Sequence, residues 1–399
     1  MNRSEKHLWV RMKVGSQLSV MVNQTKEKEP RDRLDSLDSL RGISAILVVL
    51  FHVGWTSFTG ELLFIKGGWV FVDLFFIISG FVISYTYVDK IKSHIDFQKF
   101  MTRRFFRIYP LHVFTFIAAY STLVLGNLAR GRGVNDGISG SALDVVASLF
   151  LVHGLGFSNA VVNVPSWSIS TEFAVYLLFA LVVLALTKRL TVAFLVLSGI
   201  LSLVALCFLN YPRGIFTAMQ FGLLRCLSGF SLGVLVFWLR SKSDFRLSGL
   251  ASIGCYASSV MIIQIILLKF GSESTWNAVS LMPFAVLIYV SSIDESSPVK
   301  YILESRPLRF IGERSYSIYM LHTTILMIFS FLVTLFLPQI KSVGVETPYQ
   351  HLLLGEVVNV AFLVVLIILS DITYRHIELP WRDYGRRASE RLWVGRVIV

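Results

Sequence analysis

The chain has 399 residues, 54% of them hydrophobic and only 16% charged, and its mean hydropathy is +0.67. A water-soluble domain of this length could not bury so much apolar surface, so a soluble globular fold is excluded. The net charge of +12 collects in the loops between apolar runs, which is a topology signal and gives no ground for nucleic-acid binding.

Residues 1–36 mix both signs of charge, lack a cleavable leader pattern and read as a mobile cytoplasmic tail. Apolar runs near 20 residues, the length a helix needs to cross roughly 30 Å of hydrocarbon, then recur along the chain. They fall at 37–55, 69–88, 108–126, 167–187, 190–209, 217–240, 249–270, 276–292, 315–337 and 352–372. A shorter run, Leu143 to His153, is followed by Gly154, Gly156, Asn159, Asn163 and Pro165 and reads as a re-entrant segment near 143–165. Residues 373–399 form a cytoplasmic or interfacial tail in which Trp381 and Trp393 would sit among headgroups.

The expected fold is therefore an all-α, polytopic transmembrane helix bundle of about ten spans, with one membrane domain at 37–372 and no internal repeat. Ten spans with both termini cytoplasmic put 30 of the 37 basic residues inside and 6 outside, leaving Arg225 within a span. Counting the short run as an eleventh span would push Lys188, Arg189, Arg240 and the Arg306, Arg309, Arg314 group outside. Cys207, Cys226 and Cys255 all lie in predicted spans, without a spacing that suggests a disulfide framework or a metal site, and no metal is expected.

Ionisable groups within spans cost roughly 2.5 to 3.5 kcal/mol each, so they are the candidates for function. Arg41 stands at the inner end of the first span, and His52 follows eleven residues later, roughly 16 Å towards the outer side. Asp73 and Glu172 enter from the outer side in their own spans, which predicts a layer of His52, Asp73 and Glu172. A carboxylate that fixes the imidazole tautomer would make His52 a general base for a hydroxyl. At the opposite face Arg103, Arg104 and Arg107 precede Pro110 at the start of the third span, and with Arg41 they suit phosphate or lipid headgroups. His322, two turns into the ninth span beside Tyr316 and Tyr319, either lines a path or packs.

The ordered blocks LDSLRGISAILVVLFH, GWVFVDLFFIISGFVIS, RRFFRIYP, WSISTEFAVY, RSYSIYMLH and IELP, over about residues 35 to 385, resemble the acyltransferase-3 family of bacterial integral membrane acyltransferases. On that resemblance Arg41 and His52 fall on the family's Arg-x10-His pair, Arg104 and Arg107 on its Arg-x-x-Arg, and Glu172 on the glutamate of W-S-x-x-x-E. Ser39 stands where many members have glycine, and Phe173-Ala174 replaces a polar pair that often follows the glutamate.

The resemblance implies an O-acyltransferase of the bacterial cytoplasmic (inner) membrane. It would carry an acyl group, acetyl most often, from cytoplasmic acyl-CoA to a hydroxyl of a glycan such as lipopolysaccharide O-antigen or exopolysaccharide, or of a glycosylated small molecule. Arg41, Arg104 and Arg107 would grip the phosphates of acetyl-CoA or another acyl-CoA, and the arm would thread inward to His52. His52, oriented by Asp73 or Glu172, would act as base or carry the acyl group itself. Some relatives carry a fused extracytoplasmic domain after an eleventh span, and here the chain is expected to act alone or with a separate partner. The competing reading is a transporter or flippase of a glycan or lipid-linked substrate, in which the same polar residues line a translocation path.

Overall fold

The computed structural model describes residues 34–133, 141–156, 162–218, 220–341 and 348–394; the tail predicted at 1–36 lies outside the described residues up to position 33. The principal helices are α1 Asp35–Phe51, α2 Phe71–Tyr87, α3 His94–Ala129, α4 Ala142–Leu149, α5 Ser166–Ala185 and α6 Lys188–Leu209. They continue with α7 Gly222–Ser241, α8 Gly249–Phe270, α9 Leu281–Ile293, α10 Ser315–Phe336, α11 Tyr349–Thr373 and α12 Leu379–Val394. No strand occurs among the described residues.

Among the described residues nine helices are long and apolar enough to cross a membrane, and they account for every predicted span but the first. That first span is α1, 17 residues long and about 25 Å in rise, which is at the lower limit for crossing hydrocarbon. It stops at His52, where the backbone leaves the helix.

Two boundaries differ from the hydropathy reading. The third span is expected from 108, yet α3 begins at His94, with the Ser93 side chain capping the Asp96 amide at 3.2 Å. The arginines at 103, 104 and 107 therefore lie within a 36-residue helix instead of a loop, and Pro110 sits in its interior. At the other end α11 runs through a π-turn, Tyr374–Glu378, into α12, so the expected tail begins as a continuation of the bundle. The region predicted to be re-entrant contains the eight-residue α4 and a single turn at His153–Leu155, while 157–161 lie outside the described residues.

In hydrocarbon, close backbone approach drives helix association, because burying apolar side chains gains little there. Helix α2 is the most enclosed of the nine, and it packs on α7 through glycines. A Cβ on Gly233 would stand 2.0 Å from the Ile77 carbonyl oxygen, and one on Gly80 would stand 1.9 Å from that of Phe230. Helices α6 and α8 instead turn Phe194, Leu197, Leu201, Ile262 and Leu268 outward, as lipid-facing surfaces should. A separate cluster of Ala45, Val49, Ile318, Leu321, Ile325 and Phe362 joins α1, α10 and α11 and sets His52 and His322 at one level.

Candidate active site

The arginines sort by helical position. Arg104 and Arg107 are three residues apart and share a face of α3 directed into the bundle. Arg103 reaches α12, donating from Nε to Ser389 Oγ at 2.8 Å and lying 3.8 Å from Glu390, while its guanidinium also acts on the Tyr87 hydroxyl. Helix α12 packs along this half of α3, with Trp381 stacked on Phe106 at 5.8 Å.

The Arg104 guanidinium donates to the Tyr87 hydroxyl at 3.1 Å and lies over the rings of Tyr87, Phe100 and Tyr176. Its Nε is buried and makes no hydrogen bond, an unspent donor. Arg107 lies within the field of Glu378, Asp38 and Glu172. Glu378, delivered by the π-turn, accepts from Ser317 Oγ at 3.1 Å and faces Arg382 at 3.7 Å, with Arg107 and Arg41 in its field. Arg41 itself is 3.8 Å from Asp38.

Glu172 accepts from the hydroxyls of Ser79, at 2.5 Å, and Tyr176, one turn along its own helix. It therefore stands level with Ser79, six residues and about 9 Å deeper along α2 than Asp73. With Arg104 over the Tyr176 ring, Glu172 belongs to the arginine end of the site.

Asp73 has a different partner from the one expected. Its two oxygens accept from Arg225 Nε and Nη2 at 2.9 and 2.8 Å, and both side chains are buried. Arg225 also donates to the carbonyls of Trp69 and Thr217, between the rings of Trp69 and Trp167. The predicted layer of His52, Asp73 and Glu172 is thus not formed: Asp73 is consumed by a buried bidentate pair, and Glu172 by two hydroxyls.

His52 takes its orientation from backbone. Its Nδ1 lies 2.8 Å from the Val48 carbonyl oxygen one turn earlier. A carbonyl only accepts, so Nδ1 carries the hydrogen and Nε2 keeps a lone pair, the tautomer a general base requires. The imidazole packs against Phe51 and, at 5.0 Å between ring centroids, against His322 of α10. Tyr319, one turn before His322, exchanges a hydrogen bond of 2.9 Å with Ser168 of the WSIS block.

Sequence reasoning passed over Glu378, Arg382, Ser317, Ser79, Tyr87 and Tyr176. Two i+4 spacings were readable, Tyr176 from Glu172 and Arg382 from Glu378; the places of the others come from tertiary packing or the π-turn. Among the described residues no group of three or more His, Cys, Asp or Glu side chains could hold a metal ion.

Residues 34–375 match the Acyltransferase domain family, acyltransferase-3. Similar curated proteins include the O-acetyltransferase OatA of Staphylococcus aureus strains NCTC 8325 / PS 47 and COL, each 23% identical over 381 residues. The alignments cover 87% of this chain and 57% of each relative, so the chain spans little more than half the length of the curated relatives it matches. No solved structure matches it. Because the family match runs from the start of α1 past the end of α11 and takes in every residue of the site except Glu378 and Arg382, the chain belongs to the acyltransferase-3 family of integral membrane acyltransferases.

Proposed function

We propose that this chain is an O-acetyltransferase of the bacterial cytoplasmic membrane that uses acetyl-CoA to acylate a hydroxyl of an exported or cell-surface glycan. The observation that carries the reading is the two-level layout on α1. An imidazole with a free Nε2 stands at one end, and an inward-facing set of arginines with an unspent buried donor surrounds the other. The names of the S. aureus relatives support acetyl as the transferred group.

Arg104, Arg107 and Arg41 hold the donor's phosphates, with Glu378 and Glu172 keeping the guanidiniums apart and oriented. Roughly 16 Å along α1, an extended pantetheine arm brings its thioester to His52. His52 Nε2 takes the hydroxyl proton as the oxygen attacks the thioester carbonyl. The C–O bond forms, the C–S bond breaks, and the departing thiolate recovers the proton from His52. Asp73 acts at a distance, by fixing α2 against α7. The tail at 1–36, the membrane domain at 37–372 and the segment from 373 complete the proposed organisation, with both termini cytoplasmic.

Membrane vesicles from cells that encode the protein, deleted for it and complemented with wild type or variants, carry the acceptor themselves. Given radiolabelled acetyl-CoA, wild-type vesicles should pass label into envelope glycan, and His52→Ala should lower that rate on the order of 10²- to 10⁴-fold at equal protein level. Arg104→Ala should chiefly raise the donor concentration that half-saturates. Equal labelling with and without the protein would overturn the reading.

A further inference from the structure

We infer that Arg382, on α12 and beyond the segment that the family match covers, is a further donor-binding residue, which holds the ribose 3′-phosphate of acetyl-CoA. The inference rests on the function proposed above and deepens it.

The π-turn that joins α11 to α12 buries Glu378, and Arg382 follows one helical turn later. Arg382 Nη1 stands 3.7 Å from Glu378 Oε1, an ion pair too long for a hydrogen bond, while Glu378 Oε2 accepts from Ser317. Among the described residues the Arg382 guanidinium makes no hydrogen bond, so its N–H fork is uncommitted. Arg41 and Arg107 also lie in the field of Glu378, and Arg107 acts on Arg382 more strongly than any other group does. Three guanidiniums thus share one buried carboxylate, and an anion set among them relieves their mutual repulsion.

The donor carries two separate anionic groups. Its diphosphate heads the pantetheine arm, and its third phosphate sits on the ribose, farther from the thioester. Arg104, with its buried Nε, and Arg107 face into the bundle and take the diphosphate. The Arg382 side chain is 39% exposed, at the rim of the same arginine set, where the ribose must lie. Other arginines at this end are already engaged: Arg103 with Ser389, Glu390 and Tyr87, Arg375 with Asp371 at 2.9 Å, and Arg386 with Asp383 at 3.3 Å. The open fork of Arg382 matches two oxygens of one phosphate.

Inside-out vesicles from the cells described above test it with two donors, acetyl-CoA and acetyl-3′-dephospho-CoA, each labelled in the acetyl group. Wild type should half-saturate with acetyl-CoA at a concentration on the order of 10- to 100-fold below that of the dephospho donor, the difference expected of a charge-assisted hydrogen bond. Arg382→Gln should raise the half-saturating acetyl-CoA to the dephospho value, while leaving the dephospho donor and the maximal rate as in wild type. Equal penalties on both donors would make Arg382 only the counter-ion of Glu378 and overturn the inference, as would a wild type that does not distinguish them. Where Arg382→Gln is not recovered, Arg382→Lys keeps the charge beside Glu378 without the fork. It should lose part of the discrimination, and full discrimination in that variant would likewise overturn the inference. No labelling from either donor in wild type marks failure of the functional reading instead.

Discussion

At the scale of single residues, burial decides what each charge is able to do. Asp73 and Arg225 are desolvated together, and Asp73 spends both of its oxygens on one guanidinium. Removing one partner of such a pair leaves the other charge uncompensated and costs about 3–5 kcal/mol. Asp73→Asn should therefore lower the melting temperature of the detergent-solubilised protein strongly, read by the loss of its monodisperse peak in size-exclusion chromatography after heating. A variant of normal stability that had lost acyl transfer would return Asp73 to the chemistry. Arg225 stood out in the sequence as the basic residue inside a span, but no local rule pairs it with a carboxylate 152 positions earlier. The partners of His52 were hidden for a related reason, since a backbone carbonyl has no signature in side-chain pattern.

At the scale of elements, the α2–α7 contact holds the site together. Gly233 is close enough to the Ile77 carbonyl that any side chain must force the helices apart, whereas Gly254 on α8 has nothing within 4 Å of an added Cβ. Gly233→Val should thus abolish a folded, extractable protein, since the overpacking cost of about 1–3 kcal/mol is a floor where backbone is the obstacle. Gly254→Val should be recovered at wild-type yield, and equal yields of the two would show that the helices part freely. The start of α3 was readable in Ser93 and Asp96, a cap that hydropathy windows ignore. Its 36 residues rise about 54 Å, more than a bilayer core of roughly 30 Å, so its first turns, with Arg103 and Arg104, belong to the polar side. Pro110 removes one backbone bond without ending the helix, a tolerance that membrane helices share.

At the scale of the whole molecule, the proposed orientation of the bundle rests on the distribution of Lys and Arg, and exposed lysines offer a direct check. With Cys207, Cys226 and Cys255 replaced, an impermeant maleimide should label Lys66→Cys in cells whose cytoplasmic membrane is intact, and Lys242→Cys only after that membrane is opened. The reverse pattern would invert the proposed topology. The sequence by itself determined that the chain is a multi-pass helical membrane protein, because span length and hydropathy are local properties that the bilayer reads directly. It also singled out Arg41, His52, Arg104, Arg107 and Glu172 as candidates for the proposed site. Only the tertiary structure decided their partners: His322 beside His52, Arg225 on Asp73, Ser79 and Tyr176 on Glu172, and Glu378 among the arginines. The reason is physical: a helix fixes which face a residue occupies, but the choice of partner depends on which helices approach, and glycines and a π-turn far along the chain set that approach.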